Sequence, residues 1–463
     1  MPKKTIIILM ILFPLVAGLA CRFTSSPDPT ATPTEEPAVE ITTEPVIEPS
    51  LAVPTRMSEQ EEPTSQPVDA PKDLVILDNS AWIQDDSTVF VGYLVENPSS
   101  DILYEDVEFT IQIFGSAGNL IDTQYAFVPA FYPNTTLGVS STFFMSDESV
   151  SVASADINWT FTGTSSPDAL ETLFTTDNLN YWDNSSFPTV TGRIVNNSST
   201  TYTDLRIDIL CYDSNDEVIG GGVTYLDFIH LNDYMGFATY LDTFGEVTRV
   251  EAFPNLTYST LFIDKTDFSS EISILDDYYY EDDFGFLQGG IIIKNETDSV
   301  LRNSYIYITF YDEDDNITTT GSDFIDMILP GDSIGISPWI TIQPEGANTV
   351  RYDILRLPGE RDDSYELESN PFRVNTTAVT EDSDYYVLVN FTNTYSKQVS
   401  EVDVFVLVFN AAGSIIGGGN TWTSEPTPAG GTGEIEVYVS YGSTETIDSI
   451  QAWVVPSYWT EFE

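Results

Sequence analysis

Cysteine, histidine and basic side chains are all scarce in this 463-residue chain. The two cysteines, Cys21 and Cys211, lie far apart, and a disulfide scaffold is excluded once Cys21 has another role. A single histidine, His230, argues against His-ligated zinc and against nucleophile–histidine catalysis, since both need imidazole within a specific cluster. With 16 Lys+Arg against 73 Asp+Glu, the formal net charge is −57. Such a surface repels phosphate backbones and anionic headgroups, so nucleic acid is excluded as a partner. It attracts cations and basic partners within the roughly 8 Å that physiological salt leaves unscreened. The same acidity also serves plain solubility in water or brine. What the chain does have is apolar material, 41% hydrophobic and 13% aromatic, enough to fill real cores. Its length suggests about three domains on average size alone.

The N-terminus reads as an address. Lys3 and Lys4 precede an apolar run from Ile6 to Val16, followed by the small residues Ala17 and Gly18. This is a charged region, an apolar region and a small-residue cleavage site, the layout of an export signal over residues 1–20. The run is short of the about 20 residues a membrane-spanning helix needs, and Pro14 interrupts it. Gly18-Leu19-Ala20-Cys21 resembles the lipobox of bacterial lipoproteins. The resemblance implies diacylglyceryl modification of Cys21, removal of the preceding peptide, and at least two acyl chains, enough for stable anchoring. That family prefers Leu three residues before the cysteine and a small residue two before, where this chain has Gly18 and Leu19. Gly18-Leu19-Ala20 also fits an ordinary secretory site, which would release a soluble protein. After Cys21, residues up to 72 are rich in Pro, Thr, Ser and Glu, with Pro27, Pro29, Pro33 and Pro37 opening the series. Proline withholds backbone donors and large apolar residues are few, so residues 21–72 are expected to be a disordered stalk or linker.

Beyond residue 72 the chain repeats itself. Aligning on the asparagine that closes an early apolar strand gives Asn97, Asn197, Asn295 and Asn393, with steps of 100, 98 and 98 residues. Each is followed by apolar residues alternating with period two. Examples are Val107, Phe109, Ile111 and Ile113, then Val402, Val404, Val406 and Val408. Such alternation marks strands with one face on a core. An aromatic and a turn come next, at Phe114, Tyr212, Tyr311 and Phe409, spaced by 98, 99 and 98. Gly, Asn and Asp in these turns tolerate positive φ, as hairpins require. No segment keeps a helical period. The expected fold is all-β, with four tandem antiparallel β-sandwich modules near residues 74–165, 170–263, 271–358 and 366–463.

The strand ends Ile308-Thr309-Phe310-Tyr311-Asp312 and Ile209-Leu210-Cys211-Tyr212-Asp213 resemble the motif of the FxLYD domain family. Ile111-Gln112-Ile113-Phe114-Gly115 and Val406-Leu407-Val408-Phe409-Asn410 keep the pattern without the Tyr-Asp pair. The resemblance covers all four modules and implies small immunoglobulin-like sandwiches common in bacterial surface lipoproteins. It implies no catalytic residue.

Other candidates have bland readings. Cys211 shares the inward position of Ile113, Phe310 and Val408, so the repeat makes it a small core residue. Asp312-Glu313-Asp314-Asp315-Asn316 has the oxygen density of a calcium loop but falls on a hairpin tip and lacks the EF-hand glycine and distal glutamate. Ca²⁺ between modules, near Glu281-Asp282-Asp283, stays open, and no other cofactor is expected. Trp82, Trp182 and Tyr280 recur at one module position and read as core or inter-strand anchors. Tyr278-Tyr279-Tyr280 reads as an exposed patch for stacking on sugars. The expected function is non-enzymatic. A membrane-anchored surface lipoprotein would use its modules as a spacer, or to bind a protein or glycan. The alternatives are a cation- or solute-binding lipoprotein and, third, a hydrolase working with two carboxylates.

Overall fold

The computed structural model describes residues 73–83, 88–144, 151–166, 173–183, 188–263, 271–282, 286–340, 349–356, 369–380, 385–442 and 444–457. The leader, Cys21 and the proline-rich segment lie outside these residues, as does Asp283. Among the described residues every regular element is a strand, and every pairing is antiparallel. The all-β sandwich architecture expected from the alternation is what the chain adopts.

The strands form four pairs of sheets. In module one a short sheet sets Thr88–Asn97 between Val75–Ile83 and Thr135–Phe144. Its long sheet sets Leu103–Gly115 between Leu120–Phe131 and Val152–Thr160, with Gly163–Ser165 at the rim. Module two repeats this with Phe174–Trp182, Thr189–Asn196 and Tyr234–Tyr240 against a long sheet centred on Thr201–Tyr212. In module three the central strands are Leu287–Asn295 and Leu301–Tyr311; in module four they are Tyr386–Asn393 and Val402–Phe409. Alternate residues of each central pair meet in the core, as with Val91, Val95, Phe109 and Ile111, all fully buried. Each such side chain contributes about 1.5–3 kcal/mol.

The duplication extends to the irregularities. A β-bulge interrupts the long sheet after Ile113, Cys211, Phe310 and Val408, just where the aromatic and the turn begin. A second bulge sits after Ile76, Asp177, Ile274 and Val374 in the first strand of each short sheet. The extra residue reverses the alternation beyond it, so both bulges must recur for the faces to stay in register.

One asparagine per module ties the two sheets together. Asn295 donates from Nδ2 to the carbonyls of Ser299, Ile328 and Leu329, at 2.7, 3.0 and 3.1 Å. Its Oδ1 accepts from the Thr297 amide and hydroxyl. Asn97 and Asn393 likewise donate to three carbonyls, and their Oδ1 atoms accept from the Ser99 and Tyr395 amides. In module two the residue is Asn196, which donates to Thr200 and His230 carbonyls. The alignment on Asn197 is therefore off by one: Asn197 is exposed, and the true landmark keeps a spacing of 99, 99 and 98 residues. Two adjacent asparagines end that strand, and only inward orientation separates them.

Candidate functional site

Each short sheet has two buried faces in modules one to three. The inner face meets its own long sheet. The outer face meets the long sheet of the next module. On Thr88–Asn97, odd-numbered residues enter the module-one core while Phe90, Gly92 and Leu94 turn toward module two. Leu210, Tyr212 and Val218 receive them, with Trp82 and Phe253 alongside. Leu210 and Tyr212 are the outward neighbours of inward Ile209 and Cys211 on one strand, so this strand is buried on both sides. Between modules three and four, Phe405, Leu407, Ile415 and Trp453 join the module-three core directly. These strands carry apolar residues at consecutive positions because both faces are covered.

Glycines make the close approach possible. Gly138, Gly236 and Gly335 occupy one position of the outer short-sheet strand, paired with Leu94, Arg193 and Ile292. A Cβ at Gly138 would run into Phe253 and Leu210, and one at Gly335 into Trp453 and Leu407. At Gly236 it would come within 2.6 Å of Thr309.

Polar groups fix each joint's register. The Ser140 amide donates to Asp208 Oδ1 at 2.9 Å, and Arg206 donates both to Asp208 and to the Ser140 carbonyl. Arg351 of module three pairs with Asp353 and reaches Asp233 of module two at 2.8 Å, its guanidinium 4.2 Å above the Tyr234 ring. The third joint sets Asp403 of module four against Asp326 of module three. Burial, then Asp326 and Glu401, push the Asp403 carboxyl up to about 8. Two carboxyls so placed share a proton more readily than both ionise.

The aromatics at the recurrent position are joint anchors. Trp82 stacks on Phe244 of module two with centroids 4.9 Å apart. Trp182 Nε1 donates to Thr191, whose hydroxyl donates to the Ile317 carbonyl of module three. Tyr280 donates to the Ile416 carbonyl and accepts from the Gly442 amide, both in module four. The tyrosine triplet is consequently no surface patch. Tyr279 packs edge-on against Phe310 in the core, Tyr280 is in the joint, and only Tyr278 is half exposed. Alternation divides adjacent residues of a strand between two faces, so three consecutive tyrosines cannot form one platform.

Cys211 is fully buried among Ile207, Ile209 and Phe237, and burial pushes its thiol up to about 12. His230 is half-buried against Phe228. Asp312 turns its carboxylate into its own hairpin, where the Asn316 side-chain amide first, then the Asn316 and Asp314 backbone amides, donate to it and hold it below the usual range. Asp213 and Asn410 cap the equivalent turns in the same way. Among the described residues no group of three or more His, Cys, Asp or Glu is arranged to hold a metal ion.

Sequence reasoning missed the distinct character of the outer short-sheet face of module four. Among the described residues no further sandwich covers this face. Where modules one to three have glycine it has Glu434, paired with Asn390 and exposed. Next to it lie Glu436 and then Tyr438, whose ring contacts Tyr385 and Tyr386. The signal was present as one glycine absent from the fourth copy, but its meaning required knowing what the glycines touch. A cleft of about 390 Å³ also opens between modules one and two, lined by Leu137, Phe174, Phe253, Pro254 and Leu256 among others. Comparison with protein-family models and with curated proteins yields no match for this chain.

Proposed function

We propose that this chain is a non-enzymatic surface lipoprotein, held to the membrane through lipidated Cys21, whose four sandwiches serve as a stiff spacer that presents a binding face. The observation that carries the anchor is the cysteine at the cleavage point of an export signal, in a chain with one other cysteine that is buried. Stiffness is supported by joints whose apolar residues belong to the module cores, so bending a joint would expose core surface. An array with fixed joints holds its four modules at constant spacing.

Replacing Cys21 with Ser is the test. The variant is expected to leave the membrane fraction, and the native mature N-terminus to carry the mass of a diacylglyceryl group. A native protein that partitions with the soluble fraction would overturn the anchor. The cleft between modules one and two favours a second reading, binding of a small apolar solute, because partly apolar interdomain clefts of this size suit such ligands.

A further inference from the structure

The short-sheet face of module four corresponds to the faces that the next module covers elsewhere, yet its chemistry differs. Its rows run Tyr386–Tyr438, Leu388–Glu436, Asn390–Glu434 and Thr392–Thr432. Tyr385, Tyr386 and Tyr438 are 43%, 41% and 55% exposed, and Tyr385 lies 6.3 Å from Tyr438 with nearly parallel rings. Arg373 occupies the far end, level with Thr392. Another copy of this chain is a poor occupant. Glu434 stands where close packing demands glycine, and the open long sheet of module one offers Glu108, Thr110 and Gln112 where module four brings Asp403, Phe405 and Leu407 to its joint. Carboxylate would face carboxylate with no apolar gain.

The second joint shows what such a face accepts. There a short-sheet tyrosine with a neighbouring carboxylate, Tyr234 and Asp233, receives the guanidinium of Arg351 from the opposing module. Arg193 lies over the same ring at 4.8 Å. Module four repeats the ingredients, rings beside carboxylates, with no opposing module among the described residues to supply the arginine. We propose that this face is the docking site for an arginine-bearing segment of a partner protein, the guanidinium stacking on Tyr386 and Tyr438 while Glu434 and Glu436 pair with it. The net charge of −57 draws a basic partner in from solution, and the rings give the contact its place. The proposal rests on the reading that the array is displayed to partners.

The test uses the full chain and a labelled ten-residue peptide alternating Arg and Ser, followed by fluorescence anisotropy at physiological salt. The double variant Tyr386→Ala/Tyr438→Ala leaves the charge unchanged and touches no core residue. It is expected to weaken binding by about fivefold or more, the scale of two exposed cation–π contacts. Glu434→Arg/Glu436→Arg, which keeps the rings, should abolish specific binding. The pair Tyr125→Ala/Phe127→Ala, exposed aromatics on module one, should have no effect. Equal affinity in the tyrosine variant would show mere bulk charge and overturn the proposal, as would a lysine peptide binding as tightly as the arginine one. A neutral glucan oligosaccharide bound at this face and lost with Tyr438 would overturn it in favour of a glycan. Peptide affinity in solution is independent of Cys21, so its failure and failure of the anchor are separate results.

Discussion

Removing the Asn295 amide should unseat module three more than any exposed substitution. Asn295 is fully buried and makes five side-chain hydrogen bonds, three donated and two accepted. Asn295→Ala strips the turn carbonyls of a shared donor and the Thr297 amide of its acceptor, in a fully buried site. At about 1 kcal/mol net per bond, with partial relief where water enters, the loss should be about 3–5 kcal/mol. Asn295→Asp is the sharper test because it keeps the shape. Its second oxygen would face the carbonyls of Ser299, Ile328 and Leu329, so the ionised form is disfavoured and the folded-state pKa rises. Stability of this variant should therefore improve as pH falls from 7 toward 4, where the acid can donate one bond again. Hydrogen exchange of the Ile291–Ile293 amides reads local opening of this module and does not require two-state unfolding of the whole chain. The comparison is Asn375→Ala, an exposed residue donating one bond to Thr392. If Asn295→Ala costs no more than Asn375→Ala, the clamp argument is wrong.

At the joints, Gly335→Val should cost about 1–3 kcal/mol by driving Trp453 and Leu407 away, seen as faster exchange in both strands, whereas Glu434→Gly should change stability by less than about 0.5 kcal/mol. Asp403 keeps its proton to about pH 8 when folded and loses it near pH 4 when unfolded, so folding takes up a proton between these limits. That contribution is fully present below the unfolded value and is lost as pH rises toward 8; the melting temperature should fall over this range, and Asp403→Asn should flatten the fall. In a Cys21→Ser background, Cys211 should resist a thiol reagent at pH 8 until the protein is denatured, as its burial and raised pKa require. Prompt native-state labelling would contradict its placement in the core.

The sequence by itself determined the class of fold and its repetition. Period-two alternation at Val107–Ile113 leaves a half-buried strand as the economical reading, because side chains of a strand point alternately to two faces. Cys211 was legible as core for the same reason: the repeat aligned it with Ile113, Phe310 and Val408. Asn196 was confused with Asn197 because adjacent polar residues carry no mark of which one turns inward.

Only the tertiary structure decided what the outward faces meet. Strands such as Thr201–Tyr212 are buried on both faces toward their ends, and a sequence pattern cannot say whether the second layer is the same module or its neighbour. The recurrent aromatics Trp82, Trp182 and Tyr280 looked like internal anchors and proved to tie modules together. Gly138, Gly236 and Gly335 acquired meaning only beside Phe253, Thr309 and Trp453, since close approach belongs to pairs of surfaces and not to one strand. For the same reason Glu434 reads in sequence as one acid among 73 acidic residues, and in the fold as the side chain standing where the other three modules have a joint glycine.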